Sequence, residues 1–203
     1  MHFASRFWNM GKKSRIEVRT GAILTGALAL LILPLSFLVS FVIAGAFHEV
    51  CHWLALQWAG ISIYNIHIGP FGATMETEPM EAGREVLCTL AGPLGSFLLI
   101  PGYHIFPEIA ICALIQGAYN LLPVYPLDGG RILRGILEIL KIPGREWICA
   151  VIQWLTALAI SALCLYGFLI WNLGFGVLIL GLAVAYRAFP RKTPCKEAFF
   201  GVQ

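Results

Sequence analysis

Charged side chains fall in short clusters along this chain. Between them run long stretches that carry none: Gly21–Phe47, Val86–Tyr103, Ile109–Leu127 and Trp147–Tyr186. A helix needs about 20 apolar residues to cross the hydrocarbon of a bilayer. Read as helices, the stretches predict six spans at roughly 20–38, 40–58, 84–103, 105–122, 147–167 and 170–187. The last two share one uncharged run and need a tight turn at Trp171-Asn172-Leu173-Gly174. The first two are crowded, with their turn near Pro34 or Ser36.

One segment breaks this pattern. Gly60 to Pro79, GISIYNIHIGPFGATMETEP, is rich in β-branched residues from Ile61 to Ile68 and turns at Gly69-Pro70. It then alternates from Thr74 to Glu78. Such a stretch predicts a short β-hairpin or re-entrant element. The expected fold class is an all-α polytopic membrane protein with about six transmembrane helices and one short re-entrant β-hairpin.

Composition agrees: 59% of the 203 residues are apolar and 12% are charged, with a mean hydropathy of +0.80. A soluble domain carries about 25% charged residues. Cationic residues concentrate in cytoplasmic loops, and all 14 Lys and Arg fall on one side if the N-terminus is inside. The expected organisation is a cytoplasmic segment 1–19, a membrane domain 20–187 and a short cytoplasmic tail 188–203. The basic residues Arg6, Lys12, Lys13, Arg15 and Arg19 precede an apolar run, as in a secretory signal. No cleavage site followed by a polar chain appears, so the run is expected to stay as the first span. The formal charge of +3 comes from these flanking clusters, so no nucleic-acid partner is expected. The six cysteines have no CxxC spacing and sit mostly in apolar runs, where thiols act as small hydrophobes.

The chemistry is concentrated in His48-Glu49-Val50-Cys51-His52, an HExxH inside the apolar run FVIAGAFHEVCHWLALQWAG. Residues four apart face one side of a helix, so both imidazoles can share a metal, with Glu49 beside them as a base. Zinc lowers the pKa of a bound water to about 7, which suits it to attack on a carbonyl. Two imidazoles and a carboxylate inside a span are costly in lipid and mark a site that has partners. The alternative is a polar cluster that bonds neighbouring helices.

A catalytic zinc takes three protein ligands and keeps one position open. Asp128 is a candidate for the third. It follows a long uncharged stretch, after two prolines that break the helix, and precedes Gly129 and Gly130, which permit close approach. It could equally cap an amphipathic helix over 130–140. The residues alone leave ligand and cap open.

HEVCH together with NLLPVYPLDGGRIL resembles the site-2 protease family of intramembrane zinc metalloproteases, peptidase family M50. The likeness is strongest to the branch containing the stage IV sporulation protein FB, which processes a membrane-associated pro-sigma factor. GPFGATMETE at 69–78 and Ala91-Gly92-Pro93-Leu94 extend the resemblance over most of residues 20–187. It implies that 20–187 is an intramembrane metalloprotease domain holding one Zn2+ per chain through His48, His52 and Asp128. It further implies Glu49 as catalytic acid/base and Asn120 as the amide that holds the substrate backbone or the developing oxyanion. Where many site-2 proteases carry asparagine after the Gly-Pro pair, this chain has Ser96. The sporulation branch also carries a CBS domain after its last span, which is not expected in a chain stopping at Gln203.

The implied activity is hydrolysis of peptide bonds in membrane-associated or transmembrane substrates, as in regulated intramembrane proteolysis, with the bacterial cell membrane as the expected location. The expected partners are a membrane-associated protein substrate and the lipid bilayer, with room for an inhibitory membrane partner. The rival readings are a divalent-metal transporter, since intramembrane His and Asp also mark ion pathways, a membrane zinc-binding protein, and a catalytically idle membrane-binding scaffold. His67 and His104 are weaker ligand candidates. Glu76, Glu78, Glu81 and Glu85 predict a solvated cytoplasmic face or a contact for a basic substrate segment. The hairpin could pair with an unwound substrate strand.

Overall fold

Pro34 decides where the first helical run divides. It has no N–H to donate and adopts an extended conformation (φ −55°, ψ 140°), so helix α1 (Thr20–Ile32) ends and helix α2 (Leu35–Ala59) begins anew. The computed structural model describes residues 15–18, 20–69, 72–172 and 174–188. After strand β1 (Arg15–Val18), α1 and α2 come strands β2 (Ile63–Gly69) and β3 (Gly72–Thr77) and helix α3 (Ala82–Leu98). A 3-10 turn (Ile100–His104) leads to α4 (Pro107–Asn120), α5 (Asp128–Ile139), α6 (Arg145–Trp171) and α7 (Phe175–Ala188). The chain forms two units, one of residues up to Met80 plus Leu87–Tyr119, the other of Glu81–Val86 plus residues from Asn120 onward.

In the first unit α2 is the long element, 25 residues and therefore about 38 Å at 1.5 Å per residue. It stops at Gly60, whose φ of 74° is open to glycine but strained for other residues. Gly60 N–H bonds to Gln57 O at 3.0 Å, and Ile61 N–H to Leu56 O at 2.9 Å. This is a Schellman cap, and its usual apolar contact is present, because Leu56 and Ile61 are buried together with Cys88 of α3. Lipid provides no partner for polar groups, so helices pack through small residues and satisfy polar side chains internally. Accordingly, Ala44 of α2 packs with Cys112 and Ala113 of α4. Gln116 donates to the Phe41 carbonyl at 2.9 Å, and Ser36 and Ser40 each donate to the Glu108 carboxylate at 3.3 Å.

The expected hairpin is present but belongs to a three-stranded sheet of order β1-β2-β3. β2 and β3 are antiparallel, with His67 opposite Thr74 and Ile66 opposite Met75. β1 pairs parallel to β2, Glu17 beside His67. Strand residues alternate between faces, so Glu17, His67 and Thr74 form one polar row. β1 falls inside the segment expected to be a plain cytoplasmic lead-in. Four residues, RIEV, are too few to announce a strand whose partner is supplied from beyond α2.

In the second unit the loop before α5 folds back on that helix. A Cβ at Gly130 would lie 2.6 Å from the Tyr125 nitrogen, and one at Gly129 would collide with the Leu121 carbonyl. Gln153 of α6 accepts from the Tyr125 N–H at 3.0 Å and donates to the Ala188 carbonyl at 3.1 Å. Arg131 of α5 pairs with Glu85 at 3.2 Å. α6 ends at Trp171, followed by Asn172 in the left-handed region (φ 50°), at the predicted turn. Asn tolerates this conformation better than most residues.

Three helical segments are long and apolar enough to cross a membrane: Leu35–Ala59, Ala82–His104 and Arg145–Trp171. The six-span expectation therefore meets three such segments among the described residues. α1, α4 and α7 have 13, 14 and 14 residues, short of the roughly 20 that a perpendicular span needs. Pro34 stops α1 and Gly174 precedes α7, so these helices begin or end inside the apolar stretches that contain them. The basic residues Arg6, Lys12, Lys13 and Arg19, the tail 189–203 with Cys195, and Leu173 of the predicted turn lie outside the described residues.

Candidate metal centre

The two histidines of the HExxH lie one turn apart on α2, and His48 is only 3% exposed. Their Nε2 atoms are 3.1 Å apart. Two nitrogens held at 2.0–2.1 Å by one tetrahedral zinc are about 3.3 Å apart, so the pair suits a shared ion. The other nitrogen of each ring is already engaged. His48 Nδ1 lies 2.9 Å from Ser96 Oγ, and His52 Nδ1 lies 2.9 Å from the Cys88 carbonyl oxygen. Both partners belong to α3. The outer nitrogens are thus bonded to protein, which turns both Nε2 atoms the same way, as metal-ligating imidazoles require.

α3 can come this close because of its glycines. A Cβ at Gly92 would collide with the His52 ring, and one at Gly95 with the Cys51 sulfur. Pro93 between them supplies no N–H to the helix, which leaves the Thr89 carbonyl without its usual partner in the ladder. This accounts physically for Gly92 and Pro93 of the Ala91-Gly92-Pro93-Leu94 run picked out in the sequence. Glu49 is half-buried, and its Oε1 lies 3.7 Å from where a Cβ of Gly72 in β3 would stand. The sheet therefore approaches the carboxylate where it carries no side chain.

Asp128 is the first residue of α5 and 9% exposed. Leu127, one residue earlier, holds the N-cap position of this helix. His48 and His52 belong to the first unit and Asp128 to the second, and all three are of the residue types that zinc takes as ligands. Asn120 closes α4 and is half-buried. His67 is instead flanked by carboxylates, 3.3 Å from Glu17 and 3.0 Å from Glu76, and His104 is exposed on the 3-10 turn. The acidic residues expected to face solvent freely are largely engaged. Glu76 accepts from Asn65 at 2.7 Å, Glu78 accepts from the Ser62 N–H at 3.2 Å, and Glu85 pairs with Arg131. The five described cysteines are free thiols.

Two contributors escaped the sequence reading. Ser96 was noted only as a departure from asparagine, and Gln153 not at all. A polar residue inside an apolar helix is the signal that could have found both.

A histidine pair oriented by a neighbouring helix, with a carboxylate next in sequence, on a helix long enough to span a bilayer, is the arrangement of an HExxH metal site. Comparison with known proteins agrees. Residues 101–162, which include Asn120 and Asp128, match the model of peptidase family M50. A zinc metalloprotease of Methanocaldococcus jannaschii is 31% identical over 105 residues, 45% of this chain and 31% of that protein. The chain's matching part spans less than a third of the length of the curated relatives it matches. The solved site-2 protease from Methanocaldococcus jannaschii shares the fold, with a TM-score of 0.59 at 23% identity over 87% of this chain and 90% of that one. The chain is thus similar in sequence to peptidase family M50 and in fold to a site-2 protease, and zinc is the ion that the family and relatives imply.

Proposed function

We propose that this chain is an intramembrane zinc metalloprotease that hydrolyses peptide bonds of membrane-associated or transmembrane proteins. His48, His52 and Asp128 hold one zinc ion, Glu49 is the acid/base, and Asn120 steadies the substrate carbonyl. The observation that carries this reading is the 3.1 Å approach of the two Nε2 atoms, with each Nδ1 engaged by α3.

Zinc at such a site supplies Lewis-acid chemistry, polarising a carbonyl and acidifying water. The protein supplies the rest. Glu49 removes a proton from the attacking water and returns it to the leaving amine. The Asn120 amide donates to the carbonyl oxygen as negative charge develops there. The substrate must enter as an unwound segment, since a helix keeps its carbonyls in internal bonds. An edge strand of the three-stranded sheet, β1 or β3, suits such a segment by strand addition. With both termini cytoplasmic, as the distribution of Lys and Arg favours, the substrate class suggested by the sporulation-branch resemblance is a membrane-associated pro-sigma factor.

The test is cleavage of a tagged single-span substrate in liposomes containing the purified chain. Zinc-dependent cleavage, lost on chelation and restored by zinc, is expected. Metal uptake into the liposomes without any cleavage would instead establish the transporter reading.

A further inference from the structure

The hydroxyl of Ser96 is fully buried and points at the nitrogen of His48 that faces away from His52. We propose that Ser96 is a positioning residue of the metal centre, fixing His48 as an Nε2 ligand by accepting a hydrogen bond from its Nδ1–H. The proposal rests on the metalloprotease reading above and assigns a role to a residue outside the ligand set.

A neutral imidazole carries one hydrogen, and the ligating nitrogen must be the one without it. For His52 the choice is fixed by the Cys88 carbonyl at 2.9 Å, which can only accept; Nδ1 therefore carries the hydrogen and Nε2 the lone pair. For His48 the partner on α3 is a side-chain hydroxyl. Its Nδ1 meets Ser96 Oγ, also at 2.9 Å. Cys88 and Ser96 are eight residues apart, close to two turns, with Gly92 midway between them. One face of α3 thus presents an acceptor, a gap for the His52 ring and a second acceptor, in register with the i, i+4 pair on α2.

Ser96 is held from behind as well. A Cβ on Gly117 of α4 would lie 3.1 Å from Ser96 Cβ, so the serine packs directly on that helix's backbone. Packing of this kind keeps the hydroxyl in place, as a partner that orients a metal ligand must be kept. A hydroxyl is also the smallest group that supplies an acceptor here, whereas alanine supplies none.

The test uses the full chain in detergent with 15N-labelled histidine. Zinc affinity is measured by chelator competition for wild type, Ser96→Ala and Ser96→Thr. Ser96→Ala is expected to weaken zinc about 10- to 100-fold with helical content unchanged, and Ser96→Thr to retain most of the affinity. In zinc-loaded wild type, His48 Nδ1 should show the shift of a protonated ring nitrogen. In Ser96→Ala the His48 signals should move while those of His52 hold. An Ala variant within twofold of wild type, or ligation of His48 through Nδ1, overturns the proposal. If Ser96→Ala does not fold, the wild-type nitrogen assignment decides alone. Wild type that takes up no zinc rejects the metal site itself, which is distinguishable from zinc-binding wild type with an indifferent Ala variant.

Discussion

Gly92 lies directly beneath the His52 imidazole, so close that a Cβ at this position would collide with the ring. The ring cannot easily yield, because its Nδ1 is bonded to the Cys88 carbonyl at 2.9 Å. Gly92→Ala is therefore expected to tilt His52 and reduce zinc affinity at least tenfold, the size of effect seen when a ligand loses its orientation. Gly83→Ala on the same helix is the control, since a Cβ there meets nothing within 4 Å. Chelator competition on both variants checks this, and unchanged affinity in Gly92→Ala would show that the ring's seat is adjustable.

Glu49→Gln separates binding from chemistry. The amide keeps the size of the carboxylate but cannot take a proton. Acid/base catalysis contributes about 10²–10⁴ in rate, so turnover should fall by that factor while zinc content stays at the wild-type level. The comparison is single-turnover cleavage alongside metal analysis of the same preparation. Activity near wild type would remove Glu49 from the mechanism.

The Gly129-Gly130 pair fixes the start of α5. A Cβ at Gly129 would collide with the Leu121 carbonyl, and one at Gly130 would come within 2.6 Å of the Tyr125 nitrogen. These are backbone atoms and cannot rotate away. Either alanine variant should lose about 1–3 kcal/mol of stability, the usual cost of overpacking. Thermal unfolding read by tryptophan fluorescence measures the loss, and a melting temperature equal to wild type would contradict it.

Gln153 braces the same loop from α6, through Tyr125 N–H at 3.0 Å and the Ala188 carbonyl at 3.1 Å. Gln153→Leu preserves apolar volume and removes both bonds. At about 0.5–1.5 kcal/mol per bond, and roughly 2–4 °C per kcal/mol for a domain of this size, a drop of several degrees is expected. The same thermal scan checks it, and a variant that melts with wild type would show the brace to be idle.

The legible parts of this molecule were those written in local spacing. HEVCH requires a helix for its histidines to meet, and α2 supplies one. The Gly-Gly after Asp128 signalled close approach, and the β-branched run Ile61–Ile68 announced the β2–β3 pairing. What stayed hidden depends on partners distant in the chain. β1 needs β2 to become a strand. The role of Ser96 exists only because α3 lies against α2, since a serine in an apolar run otherwise looks like a small packing residue. Apolar runs also say little about where a helix stops, so α1, α4 and α7 proved shorter than the stretches that contain them.

Zinc-edge X-ray absorption on the purified wild-type chain tests the central claim most directly. One zinc per chain is expected, with two imidazole nitrogens and at least one oxygen at about 2.0–2.2 Å, and with the oxygen contribution altered in Asp128→Ala. A metal-free chain that still cleaves its substrate, or a zinc shell without imidazole, would contradict the account.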